Sequence, residues 1–350
     1  MRRVIPSLKF AGLLGGLVLL CIGCGRQGGE VALIPSPTEV SAVTAVPTGT
    51  LGMPSEATAP TETMPPPTDT VSPWAPVTSG DHTYRLNFGG LEREYVLHIP
   101  PGYTHSQPAA LVLVYHGYNL NASEMMRISG FSALADTESF LVAYPQGSGT
   151  RQSWNGGNCC GEALLQRVDD VGFTRAMIED IGRQVNLDHS RVYATGFSNG
   201  AIMAYRLACD LAEQIAAIAP VSAAPAVNSC SPSQPVSVIH FHGDADSLNP
   251  YEGGERPNDL PDFMRVEAGI DLWLGLDGCP TQEQETQQGD IVHRVYGPCQ
   301  GGTAVELYKI LGGEHAWPGG EAVSGEIGEP TDEIDATALI WEFFEVHPRP

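Results

Sequence analysis

The run RVYATGFSNGAIMAYRLA, from Arg191 to Ala208, sets a strand, a sharp turn and a helix in one short stretch. Arg191 to Thr195 alternates like a short buried strand. Beyond the turn, Ile202, Tyr205, Ala208, Cys209 and Ala212 recur at helical spacing and define one apolar face. Gly196 and Gly200 flank Ser198, and two glycines permit a strained turn that lifts a serine hydroxyl off the end of a sheet. The pattern G-x-S-x-G is weak alone in a chain this rich in glycine. Its strand–turn–helix setting constrains the fold, because it demands a sheet with a helix laid on its face. The plain alternative is an ordinary strand-to-helix loop whose serine caps the helix.

The surrounding sequence repeats that alternation. Tyr84 to Phe88 and Arg93 to Ile99 read as a pair of antiparallel strands. Ala110 to Tyr115 is a continuous apolar run, as expected of a strand buried on both faces. A helix is predicted over Arg127 to Glu138 and a strand over Phe140 to Tyr144. Asp169 and Asp170 open an amphipathic helix carrying Val171, Ile178, Ile181 and Val185. Ile215 to Val221 and Val236 to Phe241 read as further buried strands. A helix over Asp262 to Leu276, a strand over Ala304 to Ile310 and a closing helix over Asp332 to Val346 complete the pattern. Strands alternating with helices after an antiparallel start predict an α/β fold with a doubly wound, mostly parallel sheet. A single catalytic domain spanning residues 81–350 is expected to hold all of it.

Residues 1–24 read as an export signal: Arg2, Arg3 and Lys9, then an apolar run from Phe10 to Ile22. That run is too short and too glycine-rich for a membrane-spanning helix. It ends in Cys21-Ile22-Gly23-Cys24, like a bacterial lipoprotein cleavage box with Cys24 as the acylated residue and Cys21 where leucine is usual. Residues 25–80, rich in Pro, Thr, Ser and Ala without apolar periodicity, read as a disordered linker. The expected location is therefore outside the cytoplasm, secreted or held at the cell surface, with membrane contact only through the lipid.

Disulfides are permitted in that compartment. Cys159, Cys160, Cys209, Cys230, Cys279 and Cys299 allow many pairings. Local pairing favours Cys209–Cys230 and Cys279–Cys299, leaving Cys159 and Cys160 as a vicinal bridge or free thiols. No C-x-x-C pair occurs among them, which argues against structural zinc. With 18 basic against 41 acidic residues the formal charge is -23, which opposes nucleic acids and polyanionic substrates and favours neutral ones. A monomer without metal or organic cofactor is expected.

On such a sheet, ligands meet the carboxyl ends of the strands. Four loops there are suggestive: His116-Gly117-Tyr118-Asn119, the serine turn, His242-Gly243-Asp244-Ala245-Asp246, and Gly312 to Pro318 with Glu314, His315, Ala316 and Trp317. A neutral serine needs a base to take its proton and a carboxylate to orient that base. The chain order Ser198, Asp246, His315 is the Ser…Asp…His order of α/β-hydrolases. His315 alone among the histidines follows a late buried strand within a glycine-rich turn. His116 is expected to buttress the loop behind the serine. His240 and His242, two apart on a strand, suggest a metal, but no third ligand stands at suitable spacing. Asp244 competes for the carboxylate role; Asp246 is favoured because Asp244 is placed to cap the turn. The backbone N–H of Asn199 is the expected first oxyanion donor and Tyr118 the second. Trp154 and Trp317 are candidate walls of an acyl pocket, with core packing as the alternative.

Taken together, LVLVYHGYNLNASEM, FLVAYPQG, SWNGGNCCGEA, VDDVGF, RVYATGFSNGAIMAYRLAC, HFHGDADSLNPYEGG and GGEHAWPGG resemble the secreted polyhydroxybutyrate-depolymerase-like esterases, a group that overlaps feruloyl and acetylxylan esterases. The resemblance covers roughly Tyr84 to Gly320. It implies an α/β-hydrolase fold, with Ser198 as nucleophile, Asp246 as triad acid and His315 as base. It implies hydrolysis of carboxylic esters through an acyl-enzyme, of hydroxyalkanoate oligomers or plant-wall feruloyl and acetyl esters. A surface binding protein that keeps the scaffold without chemistry, and a serine peptidase of the same fold, are the competing readings. In either catalytic case, activity is expected to fade as pH falls through the histidine titration range.

Overall fold

The ten-stranded sheet has its most deeply buried strands at its centre, where both faces are covered by helices. The computed structural model describes residues 74–227, 229–255, 262–323 and 328–349. These fall within one compact unit, Thr68–Pro350. The expected export signal, the acylation at Cys24 and nearly all of the expected linker lie outside the described residues. Contacts to the sheet domain begin ahead of Asp81: the Trp74 indole donates to the carbonyl of Gly182, and Val77 packs on the core.

In chain order the strands are β1 (Gly80–Phe88), β2 (Leu91–Ile99), β3 (Ala109–Tyr115), β4 (Leu141–Pro145), β5 (Leu187–Phe197), β6 (Ala217–Val221), β7 (Ser237–Gly243), β8 (Gln284–Gln288), β9 (Ile291–Tyr296) and β10 (Val305–Ile310). The helices are α1 (Ala122–Ser129), α2 (Phe131–Glu138), α3 (Gly161–Leu165), α4 (Asp170–Gln184), α5 (Asn199–Asp210), α6 (Val266–Leu276) and α7 (Ala336–Glu345). Strand order is β1-β2-β4-β3-β5-β6-β7-β10-β9-β8. The central run β4-β3-β5-β6-β7-β10 is parallel, and antiparallel strands flank it on both sides. This is the α/β-hydrolase arrangement that the sequence predicts.

Strand β3 shows why the central strands are apolar throughout. Leu111, Leu113 and Tyr115 face one core, and Ala110, Val112 and Val114 face the other, because successive side chains alternate across the sheet. Helices α4, α5 and α6 cover the first face with Phe173, Met203, Leu207 and Trp273, among others. Helices α1, α2 and α7 cover the second with Met125, Phe131, Ile340 and Phe344.

Two expectations need correction. The helix predicted over Arg127 to Glu138 is two helices broken at Gly130, whose φ of 64° ends α1 and starts α2. The first begins earlier than predicted because Asn121 and Glu124 form a reciprocal capping box. The hairpin β8–β9 was absent from the sequence reading. β8 is QETQQ, exposed at every position on the sheet edge, so it carries no apolar period to find.

The cysteines pair Cys209–Cys230, Cys279–Cys299 and Cys159–Cys160. The two local pairings agree with the expectation, and the adjacent cysteines form the vicinal bridge.

Candidate active site

The carboxyl ends of β3, β5, β7 and β10 bring the four suggestive loops to one rim of the sheet. β7 and β10 are parallel neighbours with Gly243 opposite Ile310, so the loops carrying Asp246 and His315 leave the sheet side by side. β5 lies one strand further on, across β6.

Ser198 sits at φ 57° and ψ −117°, a conformation that a non-glycine residue rarely adopts. Its N–H donates to the Val221 carbonyl at 2.9 Å, which ties the turn to β6. The turn closes so tightly that a Cβ on Gly200 would collide with the carbonyl of Tyr115. Glycine is therefore required there by close approach. Ser198 then opens α5, with its hydroxyl facing a cavity of about 510 Å³. Tyr118, Ile202, Leu248, Phe263 and the Cys159–Cys160 pair line it with largely apolar surface, and His315 and Asn249 reach into it.

His315 Nδ1 lies 2.7 Å from Asp246 Oδ2, and both side chains are buried. The other Asp246 oxygen accepts the backbone N–H groups of Leu248 and Asn249, each at 2.8 Å. Burial works against ionising Asp246, but hydrogen bonds from His242, His315 and the Asn249 backbone outweigh it. The carboxyl is held well below the usual range and stays charged. Asp244 does other work: it accepts the Gly312 N–H at 2.7 Å and lies 3.5 Å from Lys309 Nζ.

Ser198 Oγ is met by Asn249 Nδ2 at 3.5 Å; among the described residues it is not hydrogen-bonded to His315. The Phe197 ring lies 4.8 Å from the His315 ring, which places the imidazole beside the serine turn on the lining of the cavity. Contacts of this kind commonly tighten only with substrate bound. The His315 loop is pinned from below by Ser222, whose hydroxyl donates to the Ala316 carbonyl at 2.9 Å.

Tyr118 is 40% exposed on the cavity wall, and the backbone of Asn199 begins α5 directly beneath Ser198. The Tyr118 loop is braced by His116, which is buried. His116 Nδ1 contacts the Gly117 carbonyl at 2.8 Å, and Nε2 accepts the Gly147 N–H at 2.9 Å. Burial pulls its pKa down to about 4, so the ring is a neutral brace.

Trp154 and Trp317 do not line the cavity. Trp154 is fully buried, with Nε1 donating to the His116 carbonyl, and Trp317 packs on Phe131 with Nε1 donating to Thr337. Each indole fills a core position and spends its polar atom there, which is the packing alternative weighed above. The sequence reading missed Asn249 and Ser222. Neither has a motif of its own; Asn249 sits three residues past Asp246, where a carboxylate can collect backbone donors, and that spacing is the signal it offered.

Among the described residues, no group of three or more His, Cys, Asp or Glu could hold a metal ion. His240 and His242 are instead consumed in hydrogen bonds.

Residues 93–248 match the family model described as "Esterase PHB depolymerase". The span takes in Ser198 and Asp246, and His315 follows it. The chain is 32% identical over 234 residues to "Feruloyl esterase B" of Piromyces equi, covering 64% of this chain and 42% of that protein. It therefore spans less than half the length of that relative. To "Putative esterase NocK" of Nocardia uniformis subsp. tsuyamanensis it is 30% identical over 254 residues, covering 66% of this chain and 72% of that protein. Among solved structures, "Acetyl xylan esterase from Aspergillus awamori" superposes with a TM-score of 0.54 at 14% identity, covering 76% of this chain and 99% of that one. That likeness shows the shared fold. The identities and the matched span carry the rest: this chain belongs to the PHB depolymerase family of esterases.

Proposed function

We propose that this protein is an extracytoplasmic serine esterase that cleaves carboxylic esters through an acyl-enzyme. The observation that carries the reading is the strained Ser198 lining one cavity together with His315, which is already paired with ionised Asp246 at 2.7 Å. His315 takes the Ser198 proton as the oxygen attacks the ester carbonyl, and returns it to the departing alcohol. Water activated by the same ring then releases the acid. The N–H groups of Asn199 and Tyr118, both of whose residues line the cavity, are the donors proposed for the oxyanion.

The apolar lining fits the acyl part of an uncharged ester, and the acidic chain has little attraction for anionic polymers. One relative carries the name feruloyl esterase, and the matched family model is described as "Esterase PHB depolymerase". Hydroxyalkanoate oligomers and plant-wall feruloyl or acetyl esters are accordingly the substrates proposed here. Three disulfides fit an oxidising compartment, with Cys24 as the proposed lipid anchor.

The test is turnover of a chromogenic short-chain ester by the parent and by Ser198→Ala. The substitution is expected to remove activity by about 10³-fold or more. Retained turnover in Ser198→Ala would defeat the mechanism. Rates on hydroxybutyrate oligomers, methyl ferulate and acetylated xylan then rank the substrate classes, and absence of cleavage of all three favours a peptidase or binding role.

A further inference from the structure

Behind Asp246, on the side away from the cavity, a file of polar groups runs through the core from α5 to the carboxylate. The Tyr205 hydroxyl lies 2.9 Å from His240 Nδ1, and His240 Nε2 lies 3.1 Å from His242 Nδ1. His242 Nε2 lies 2.8 Å from the Asn249 carbonyl and 3.4 Å from Asp246 Oδ2. None of the three side chains is more than 1% exposed.

The last link sets the direction of every other. A carbonyl and a carboxylate only accept, so His242 Nε2 must carry a proton. Neutral His242 then has a lone pair on Nδ1, which accepts from His240 Nε2–H. His240 Nδ1 is left as an acceptor for the Tyr205 hydroxyl. Burial and then the adjacent His242 hold His240 well below the ordinary histidine range, and burial keeps the Tyr205 phenol protonated. Both agree with a file that is neutral throughout.

A second proton on His242 would reverse the file. His240 would have to turn its proton toward Tyr205, whose own hydroxyl proton would then lose its acceptor inside the core. Glu314 and Glu329 line a small cavity with His242, but the Glu314 carboxylate accepts the Glu329 N–H, and among the described residues the ion pair of His242 is with Asp246. The Tyr251 ring packs edge-on at 5.7 Å and sends its hydroxyl to Glu267, which is also held by Arg294. Lys309 lies over the Tyr251 ring and reaches Asp244. Asp246 is thus the anion His242 meets directly, and it is the one His315 uses.

We propose that Tyr205, His240 and His242 are a positioning relay, whose one-way hydrogen bonds present His242 Nε2–H to Asp246 and stop that ring from competing with His315 for the carboxylate. The proposal rests on reading Ser198, Asp246 and His315 as the triad. His242 Nε2 and His315 Nδ1 both face Asp246 Oδ2, at 3.4 and 2.7 Å. A positive His242 would oppose the imidazolium that must form on His315 as Ser198 attacks.

Tyr205→Phe keeps the ring in the core and removes the terminal donor, so His242 gains freedom to take a proton. The acidic midpoint of the kcat/KM profile is expected to rise by about 0.5–1 pH unit, with the plateau within about threefold of the parent. Adding His242→Gln, which donates but does not titrate, should return the midpoint to the parental value. An unchanged midpoint in Tyr205→Phe, or a shift that persists in the double variant, overturns the relay. Nitrogen NMR of the histidine-labelled parent at neutral pH reads the file without any turnover. A bare Nδ1 and protonated Nε2 on both rings is expected, and the opposite tautomers overturn the proposal. Correct tautomers in a protein that cleaves no ester would leave the relay's hydrogen bonds standing and sink the triad instead.

Discussion

The side-chain amide of Asn199 grips the backbone of Trp154 at both ends: Oδ1 accepts its N–H at 2.8 Å and Nδ2 donates to its carbonyl at 3.1 Å. The residue after Ser198 therefore does more than offer a backbone N–H. It fastens the serine turn to the loop from Ser153 to Cys160 that walls the cavity. The next residue along, Asn155, gives its N–H to Asp170, which is bonded to buried Arg93 at 2.8 Å. Asn199→Ala leaves the buried Trp154 N–H without a partner, at about 1–3 kcal/mol, while the Trp154 carbonyl keeps the N–H groups of Gly156 and Cys160. Chemical denaturation should show a loss of roughly 1–3 kcal/mol, with kcat down about tenfold as the loop loosens. A variant as stable as the parent would show that the grip carries no energy.

Asp246 and Asp244 are separated by one residue and by entirely different partners. Asp246→Asn should lower kcat by about 10³–10⁴-fold, because an amide would favour the wrong tautomer of His315. Asp244→Asn keeps an oxygen for the Gly312 N–H and loses only a contact to Lys309 at 3.5 Å, so turnover should stay within about threefold. Measured kcat for the two variants decides the assignment, and comparable losses would refute it.

The sequence carried the sheet and the reacting groups because both leave marks that survive without neighbours. Val112 and Val114 announce a strand buried on both faces, and Ser198 between two glycines announces a strained turn. Gly130 could not be separated from its helical surroundings, because one residue in left-handed conformation ends a helix without altering the apolar period on either side. β8 left no trace because an exposed edge strand has no face to bury. Ser222 and the Asn249 side chain each reach a distant loop through one hydrogen bond, and such bonds depend on the folded register. Tryptophans show the opposite failure. Trp317 stands beside His315, and Trp154 in a glycine-rich loop, which suggested pocket walls, whereas both rings are buried in the two cores.

Trp317→Phe tests that last point. It removes the hydrogen bond to Thr337 at 3.0 Å and part of the packing on Phe131. A loss of about 1–3 kcal/mol in unfolding free energy is expected, with KM for a short-chain ester unchanged within about twofold. A large rise in KM at unchanged stability would return Trp317 to the substrate site.

Asp277 gives a pH dependence of stability that is separate from catalysis. It ends α6 fully buried, accepts the Val236 N–H at 3.2 Å, and its Oδ2 has no hydrogen-bond partner. Burial pushes its pKa up to about 7, against the pull of the Val236 N–H and Thr303. A carboxylate at a helix C-terminus also faces the negative end of the dipole. In the unfolded chain the group titrates near its ordinary value of about 3.9. Between those values the folded protein holds a proton that the unfolded chain has released. Stability on this group's account therefore falls as pH rises from about 4 to 7, by roughly 2–4 kcal/mol in all. Asp277→Asn is neutral at every pH and keeps an acceptor for Val236. Thermal melts should show the variant gaining several degrees over the parent at pH ~8 and little at pH ~5. Equal gains at both values, or none at the higher one, would show that Asp277 is not carrying a buried charge.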